Sequence, residues 1–202
     1  MEIIAYITPS FYSSVHYWRN KEDGDIQELY DLIDKKPVET TELMQAGIDF
    51  EDDVARVCGG DYVSADPVAN EIASIVKGCL WQEKISVDVD TPFGIIRVYG
   101  RMDCVKRDWI YDIKNVRRYE MGKYFDSIQH LAYMKATGIK NFKYLVKCGT
   151  NCYYEEYMED DANKNLLAER VTDLIRWLKN IGLYDRYLEH WGMKNGNNGK
   201  DR

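Results

Sequence analysis

Gly100-Arg-Met-Asp103-Cys-Val-Lys-Arg-Asp-Trp-Ile-Tyr-Asp112-Ile-Lys114 joins two apolar strands through a short polar break. If Lys106-Arg107 form a two-residue hairpin loop, Val105 pairs with Asp108 and position 103 stands opposite position 110. Alternation along a strand then sets Asp112 and Lys114 on the face that carries Asp103. Asp103 and Asp112 become diagonal neighbours, about 7–8 Å apart at the backbone. Two carboxylates at that spacing suit one hard cation, which prefers oxygen ligands, and Lys114 projects beside it. Asp-x-Lys has little meaning alone in a chain with 34 acidic residues, and Asp34-Lys-Lys36 repeats it. Only Asp112-Ile-Lys114 ends an apolar strand that follows another strand bearing an Asp.

Outward from the hairpin, Ile85, Val87 and Val89 alternate with polar residues, which predicts a preceding strand that turns at Thr91-Pro92-Phe93-Gly94. Downstream, a helix is predicted from about Tyr119 to Thr137, with Phe125, Ile128 and Leu131 or Ala132 inward and Gly138 as its stop. On it, Gln129 and Tyr133 are four apart and share a face. Phe142–Cys148 and Cys152–Tyr157 read as a further strand pair, and Asp161–Leu188 as one long closing helix. Upstream, Thr8-Pro9-Ser10 opens a helix over Phe11–Trp18, and Ile26–Ile33 and Pro67–Lys77 suit helices. A helix capped by Thr40 or Thr41 carries Leu43, Gly47, Phe50, Val54 and Val57 at helical spacing and stops at Gly59-Gly60. Gly47 is expected to serve close packing there. Glu51 lies beside the buried stripe and offers a third carboxylate.

Helices around a hairpin-rich centre predict an α/β domain with a central mixed sheet flanked by helices. One domain over residues 1–192 is expected: a helical part to residue 40, a core over 41–158, a closing helix over 161–190, and a disordered tail over 193–202. With 202 residues, 45% of them apolar and 30% charged, the chain can bury a core, and a collagen-like or disordered polymer is excluded. No apolar run can span a bilayer, and the start, Met1-Glu2-Ile3-Ile4-Ala5-Tyr6, is not a secretory signal. Five scattered cysteines fit reduced thiols in an intracellular, cytoplasmic protein. The net charge of −7 argues at first against a polyanionic partner. Residues 97–147, however, hold 12 Lys and Arg against 5 Asp and Glu, so a nucleic-acid partner stays open. Arg117, Arg118 and Lys123 are either a solvated loop or a phosphate track beside the acids. His16-Tyr17-Trp18 is the aromatic cluster first to be tested for stacking on unpaired bases.

Gly47-x-x-Phe-Glu51, Gly100-Arg-Met-Asp103, Asp112-Ile-Lys114 and Gln129-His-Leu-Ala-Tyr133, in that order and spacing, resemble the PD-(D/E)XK nuclease superfamily. Within it they look most like the RecB-type branch of phage recombination exonucleases and CRISPR-associated spacer-processing nucleases. The resemblance implies a restriction-endonuclease-like core and a DNA nuclease, chiefly an exonuclease, that uses Mg2+ or Mn2+. It implies Asp103, Asp112 and the Ile113 carbonyl as metal ligands, with Glu51 binding directly or through water. Lys114 would orient the attacking water and stabilise charge on the phosphate, while Gln129 and Tyr133 would hold the phosphate or the site's geometry. DNA and a recombination or single-strand annealing protein are the implied partners, with no membrane. Two departures stand out. Phe50 occupies the place where many RecB-type members carry histidine. No cysteine precedes Cys58, and Cys148-x-x-x-Cys152 is the one close late pair, so the iron–sulfur cluster of some relatives is not expected. The competing functions are a non-catalytic DNA-binding or adaptor protein on the same fold, and a protein–protein module with an incidental acid cluster.

Overall fold

In a computed structural model that describes residues 2–160 and 163–193, the central hairpin forms from β3 (Gly94–Lys106) and β4 (Trp109–Val116). Cys104 pairs with Tyr111, Val105 with Ile110 and Lys106 with Trp109, so the loop is Arg107-Asp108, one residue later than expected. Arg107 takes up the left-handed backbone at φ +48°. The loop still holds two residues, so parity survives: one further step of this register sets Asp103 directly across from Asp112 instead of diagonal to it.

Six strands and seven helices lie among the described residues. The other strands are β1 (Ile3–Ile7), β2 (Leu80–Thr91), β5 (Asn141–Cys148) and β6 (Asn151–Met158). The helices are α1 (Pro9–Arg19), α2 (Ile26–Ile33), α3 (Glu42–Cys58), α4 (Pro67–Val76), α5 (Gln129–Thr137), α6 (Leu166–Asn180) and α7 (Tyr184–Trp191). The sheet is mixed, as expected, in the order β1-β3-β4-β5-β6, with β2 also pairing β3. β1 runs parallel to β3 and β4 parallel to β5, while β3/β4 and β5/β6 are antiparallel. No helix among the described residues is long and apolar enough to cross a membrane.

The chain folds as two compact units. The first comprises residues 1–37, 86–100 and 163–202. Its interior is aromatic: the Phe11 ring lies 4.4 Å from Trp191, Tyr187 donates to the Tyr6 carbonyl at 2.7 Å, and Trp191 Nε1 donates to the Ile33 carbonyl at 2.8 Å. The second comprises residues 38–85 and 101–162. In it, Phe50 and Val54 of α3 and Val68, Ala69, Ile72, Ala73 and Val76 of α4 pack on Cys104, Tyr111, Ile113 and Leu145 of the sheet. Odd positions of β4 thus face α3 and α4, which leaves Asp112 and Lys114 on the other face. Thr41 caps α3 by accepting from the Met44 amide at 3.2 Å.

Several expectations are corrected. The first forty residues are not wholly helical, because Ile3–Ile7 form a half-buried parallel strand. α5 begins only at Gln129, so Tyr119–Ile128 form an irregular loop with Phe125 58% exposed. Gly122 at φ +82° breaks the helical path, and Glu155 captures the Tyr119 hydroxyl at 2.9 Å and the Tyr124 amide at 3.2 Å. The closing helix is two helices, broken where Gly182 takes φ +74°. Leu43 is exposed, and a Cβ on Gly47 would meet nothing within 4 Å, so that glycine does not serve close packing. Asp161 and residues 194–202 of the expected tail lie outside the described residues.

Candidate active site

Each candidate acid is carried by an element of the second unit. Asp103 projects from β3, and its Oδ2 accepts the Ile113 amide at 2.8 Å. Asp112 projects from the middle of β4 and is 1% exposed. Its Oδ1 accepts from Gln129 Nε2 at 2.5 Å, and its Oδ2 lies 2.6 Å from Lys114 Nζ. That second oxygen is shielded from solvent, and the Lys114 ammonium is its partner. Glu51, one residue beyond the buried Phe50, is half-buried and accepts from Gln82 Nε2. Gln82 holds this position from a left-handed backbone, φ +58°, rare for a non-glycine residue.

Electrostatics bind these groups into one cluster. Burial pushes the Asp103 carboxyl well above its ordinary range; the Asp112 and Glu51 charges push the same way, against Lys114 and the Ile113 amide. Glu51 is raised by burial and then by Asp112, with Lys114 in opposition. Burial pulls the Lys114 ammonium down, but Asp112 and Asp103 outweigh it and hold the group above its usual value. Crowded acids that resist ionisation lack positive charge, and one ammonium supplies only part of it.

The expected helix partners reach the same place. Gln129, first residue of α5, fixes the Asp112 carboxylate. Tyr133, one turn on and 3% exposed, donates to the Arg101 carbonyl at 2.9 Å and so braces β3 two residues before Asp103. Burial and the Asp112 charge push its phenol up to about 12. Ile113 joins the cluster through its amide. Arg117, Arg118 and Lys123 stand exposed on the loop that leaves Lys114 and returns at Gln129, and Lys123 Nζ donates to the Arg118 carbonyl at 2.9 Å. Arg118 and Lys123 line a cavity of about 350 Å³ with Glu120, Met121 and Gly122.

Two residues at the site escape sequence reasoning. Gln82 sits in a strand with no motif around it, and Tyr124 falls in a segment whose apolar spacing imitates a helix.

The donor chemistry fits a hard divalent cation: Glu51, Asp103 and Asp112 present only carboxylate oxygens, and Asp112 is buried. Among the described residues, no three His, Cys, Asp or Glu side chains close into a ligand cage. Instead, Asp103 accepts the Ile113 amide, next to Asp112, and Lys114 pairs with Asp112.

The sequence matches no protein-family model and no curated protein. The fold does match solved structures. The alkaline exonuclease LHK-Exo from Laribacter hongkongensis superposes with a TM-score of 0.50 at 17% identity over 91% of each chain. The two chains share a fold. The same enzyme in complex with dAMP matches with a TM-score of 0.50 at 14% identity, over 89% of this chain and 91% of that one. The crystal structure of SSO0001 matches with a TM-score of 0.57 at 10% identity, over 88% of this chain and 78% of that one.

Proposed function

We propose that this chain is a divalent-metal-dependent DNA nuclease, an exonuclease of the RecB-type branch that serves recombination or DNA processing in a phage or accessory setting. One observation carries the proposal: Asp103, Asp112 and Lys114 gather at one hairpin beside Glu51, on a fold shared with an alkaline exonuclease.

Asp103, Asp112 and the Ile113 carbonyl would hold Mg2+ or Mn2+, with Glu51 directly or through water. The cation would supply Lewis acidity, lowering the pKa of a water and polarising a phosphoryl oxygen. Gln129 holds Asp112 in one rotamer, so the ligand pair is set before substrate arrives. Lys114 is tied to Asp112 at 2.6 Å, so its ammonium is positioned before substrate arrives. It would orient the attacking water and meet charge developing on phosphorus. Tyr133 keeps the backbone of β3 in place. Arg117, Arg118 and Lys123 would take the flanking phosphates, which position a strand without reading its sequence.

A second function, DNA binding without cleavage, draws support from the Lys114–Asp112 ion pair, which occupies a carboxylate oxygen that a metal would need. Labelled linear and circular DNA, single- and double-stranded, incubated with Mg2+, Mn2+ or EDTA, separates the two. Metal-dependent cleavage of linear DNA, lost in Asp112→Asn and Lys114→Ala, is expected. Binding without cleavage would favour the second function, and neither binding nor cleavage would overturn both.

A further inference from the structure

A cavity of about 750 Å³ lies wholly within the first unit and shares no residue with the acid cluster. Its volume falls within the range, roughly 300–1,000 Å³, of pockets that hold small organic ligands. Tyr6, Lys35, Arg97, Tyr99, Glu189 and Trp191 are among its walls. Arg97 and Tyr99 stand two apart on β3 and so share a face, and Tyr6 of β1 is the parallel register partner of Arg97. The Tyr99 ring is 39% exposed and meets Tyr6 edge-on, with centroids 6.2 Å apart. Asp88 fixes Arg97 by accepting from its Nε at 2.6 Å and from its Nη2 at 2.9 Å. That uses two of the five N–H donors of a guanidinium. Lys35 is held over Trp191, its Nζ 3.9 Å from the ring centroid.

The backbone at Lys35 is a second, independent sign. Lys35 follows α2 at φ +56°, in the left-handed region. After α5 and α6 the chain takes the same left-handed step at Gly138 and Gly182, both at φ +74°. Glycine adopts that conformation freely and lysine does so under strain. The end of α2 thus keeps an ammonium on the cavity wall at the expense of its backbone. The chemistry of the walls narrows the guest. Lys35 and Arg97 outnumber Glu189 among the lining charges, even with His190 neutral, which disfavours a cation. A bare inorganic anion would leave the Tyr6 and Tyr99 rings without a role, and an apolar guest would strand two cations. A planar ring that carries an anionic group uses both. We propose that this cavity binds a nucleotide, its base stacked on Tyr99 and its phosphate taken by Lys35 and Arg97. A free nucleotide and one nucleotide of a single strand offer the same ring and phosphate. The site is not catalytic, and it stands without the nuclease function proposed above. The competing account is a water-filled hollow in which Lys35 only covers Trp191.

Isothermal titration calorimetry of dAMP into the full chain in EDTA leaves the acid cluster out, because carboxylates without a cation repel a phosphate. Binding of dAMP should be at least roughly tenfold tighter than that of deoxyadenosine or inorganic phosphate, each of which carries half of the ligand. That comparison uses the wild-type chain, so it decides the matter even where a variant unfolds. Tyr99→Leu keeps an apolar neighbour for Tyr6 and removes the stacking face, and should weaken dAMP binding roughly 5- to 100-fold. Lys35→Met keeps the stem over Trp191 and removes the charge, and should weaken it roughly tenfold. A labelled single-stranded oligonucleotide distinguishes the two sources. Binding that dAMP displaces and Tyr99→Leu weakens would assign the site to a strand, whereas dAMP binding that the oligonucleotide does not displace would assign it to a free nucleotide. Three results would each overturn the proposal: neither dAMP nor the oligonucleotide bound in EDTA, dAMP binding unchanged in both variants, or deoxyadenosine bound as tightly as dAMP. A chain that binds dAMP in this way but cuts no DNA with Mg2+ or Mn2+ would overturn the nuclease function and support this site.

Discussion

Replacing Lys114 by Met shortens the side chain by only one atom and removes its charge, which tests the ammonium's contribution to the fold. Asp112 is 1% exposed, and its Oδ2 faces that ammonium at 2.6 Å. Removing one partner of a fully buried ion pair costs roughly 3–5 kcal/mol. Lys114 is 32% exposed, so solvent already screens part of the attraction and lowers the figure to about 2–3 kcal/mol. For a chain of 202 residues a loss of this size lowers Tm by roughly 4–12 °C. The assay is thermal unfolding of wild type and Lys114→Met in EDTA at neutral pH, repeated with Mg2+. The gap should appear in EDTA and narrow with Mg2+, because a bound cation replaces the missing positive charge. Equal melting of both proteins in EDTA would refute the electrostatic account of the cluster.

Asp103 and Glu51 have carboxyls raised in the fold, so the folded state holds more protons than the unfolded one above the ordinary carboxylate range, near pH 4. Their contribution to stability therefore falls as pH rises through the raised values; Tm measured in EDTA from about pH 5 to pH 8 should reflect that decline, and Mg2+ should flatten it. Gly47→Ala adds a methyl where nothing lies within 4 Å and removes a mid-helix glycine, so it should stabilise by about 1 kcal/mol in urea unfolding. A loss of stability would mean that position 47 is packed. Arg118→Ala and Lys123→Ala should each weaken DNA binding regardless of sequence and reduce the salt slope by about one. An unchanged slope would remove the loop from the DNA path.

The site was legible where parity governs geometry. Asp103, Asp112 and Lys114 fall on one face for any two-residue loop, so a loop one residue later does not turn Asp103 away, and its carboxylate reaches the Ile113 amide beside Asp112. Gln129 and Tyr133 were legible as a helical pair, although only the folded chain reveals that one holds Asp112 and the other the Arg101 carbonyl. Elsewhere local pattern and tertiary structure disagree. Tyr119–Ile128 has the apolar spacing of a helix, but Glu155, more than thirty residues away, fixes its amide and phenol in a loop. That non-local bond also brings Tyr124 to the site. The β1 strand is not legible, because five residues give little alternation and its parallel partner lies some ninety positions downstream. One glycine within a periodic stretch reads as tolerated, so the sequence does not mark Gly182, whose positive φ ends the helix.

Electron paramagnetic resonance of Mn2+ titrated into the wild-type protein, Asp103→Asn and Asp112→Asn tests most directly whether these acids share a cation. The account predicts Mn2+ bound by the wild type and displaced by Mg2+, with binding lost in both variants while each remains folded. Undiminished Mn2+ binding by either variant, or none by the wild type, would contradict it.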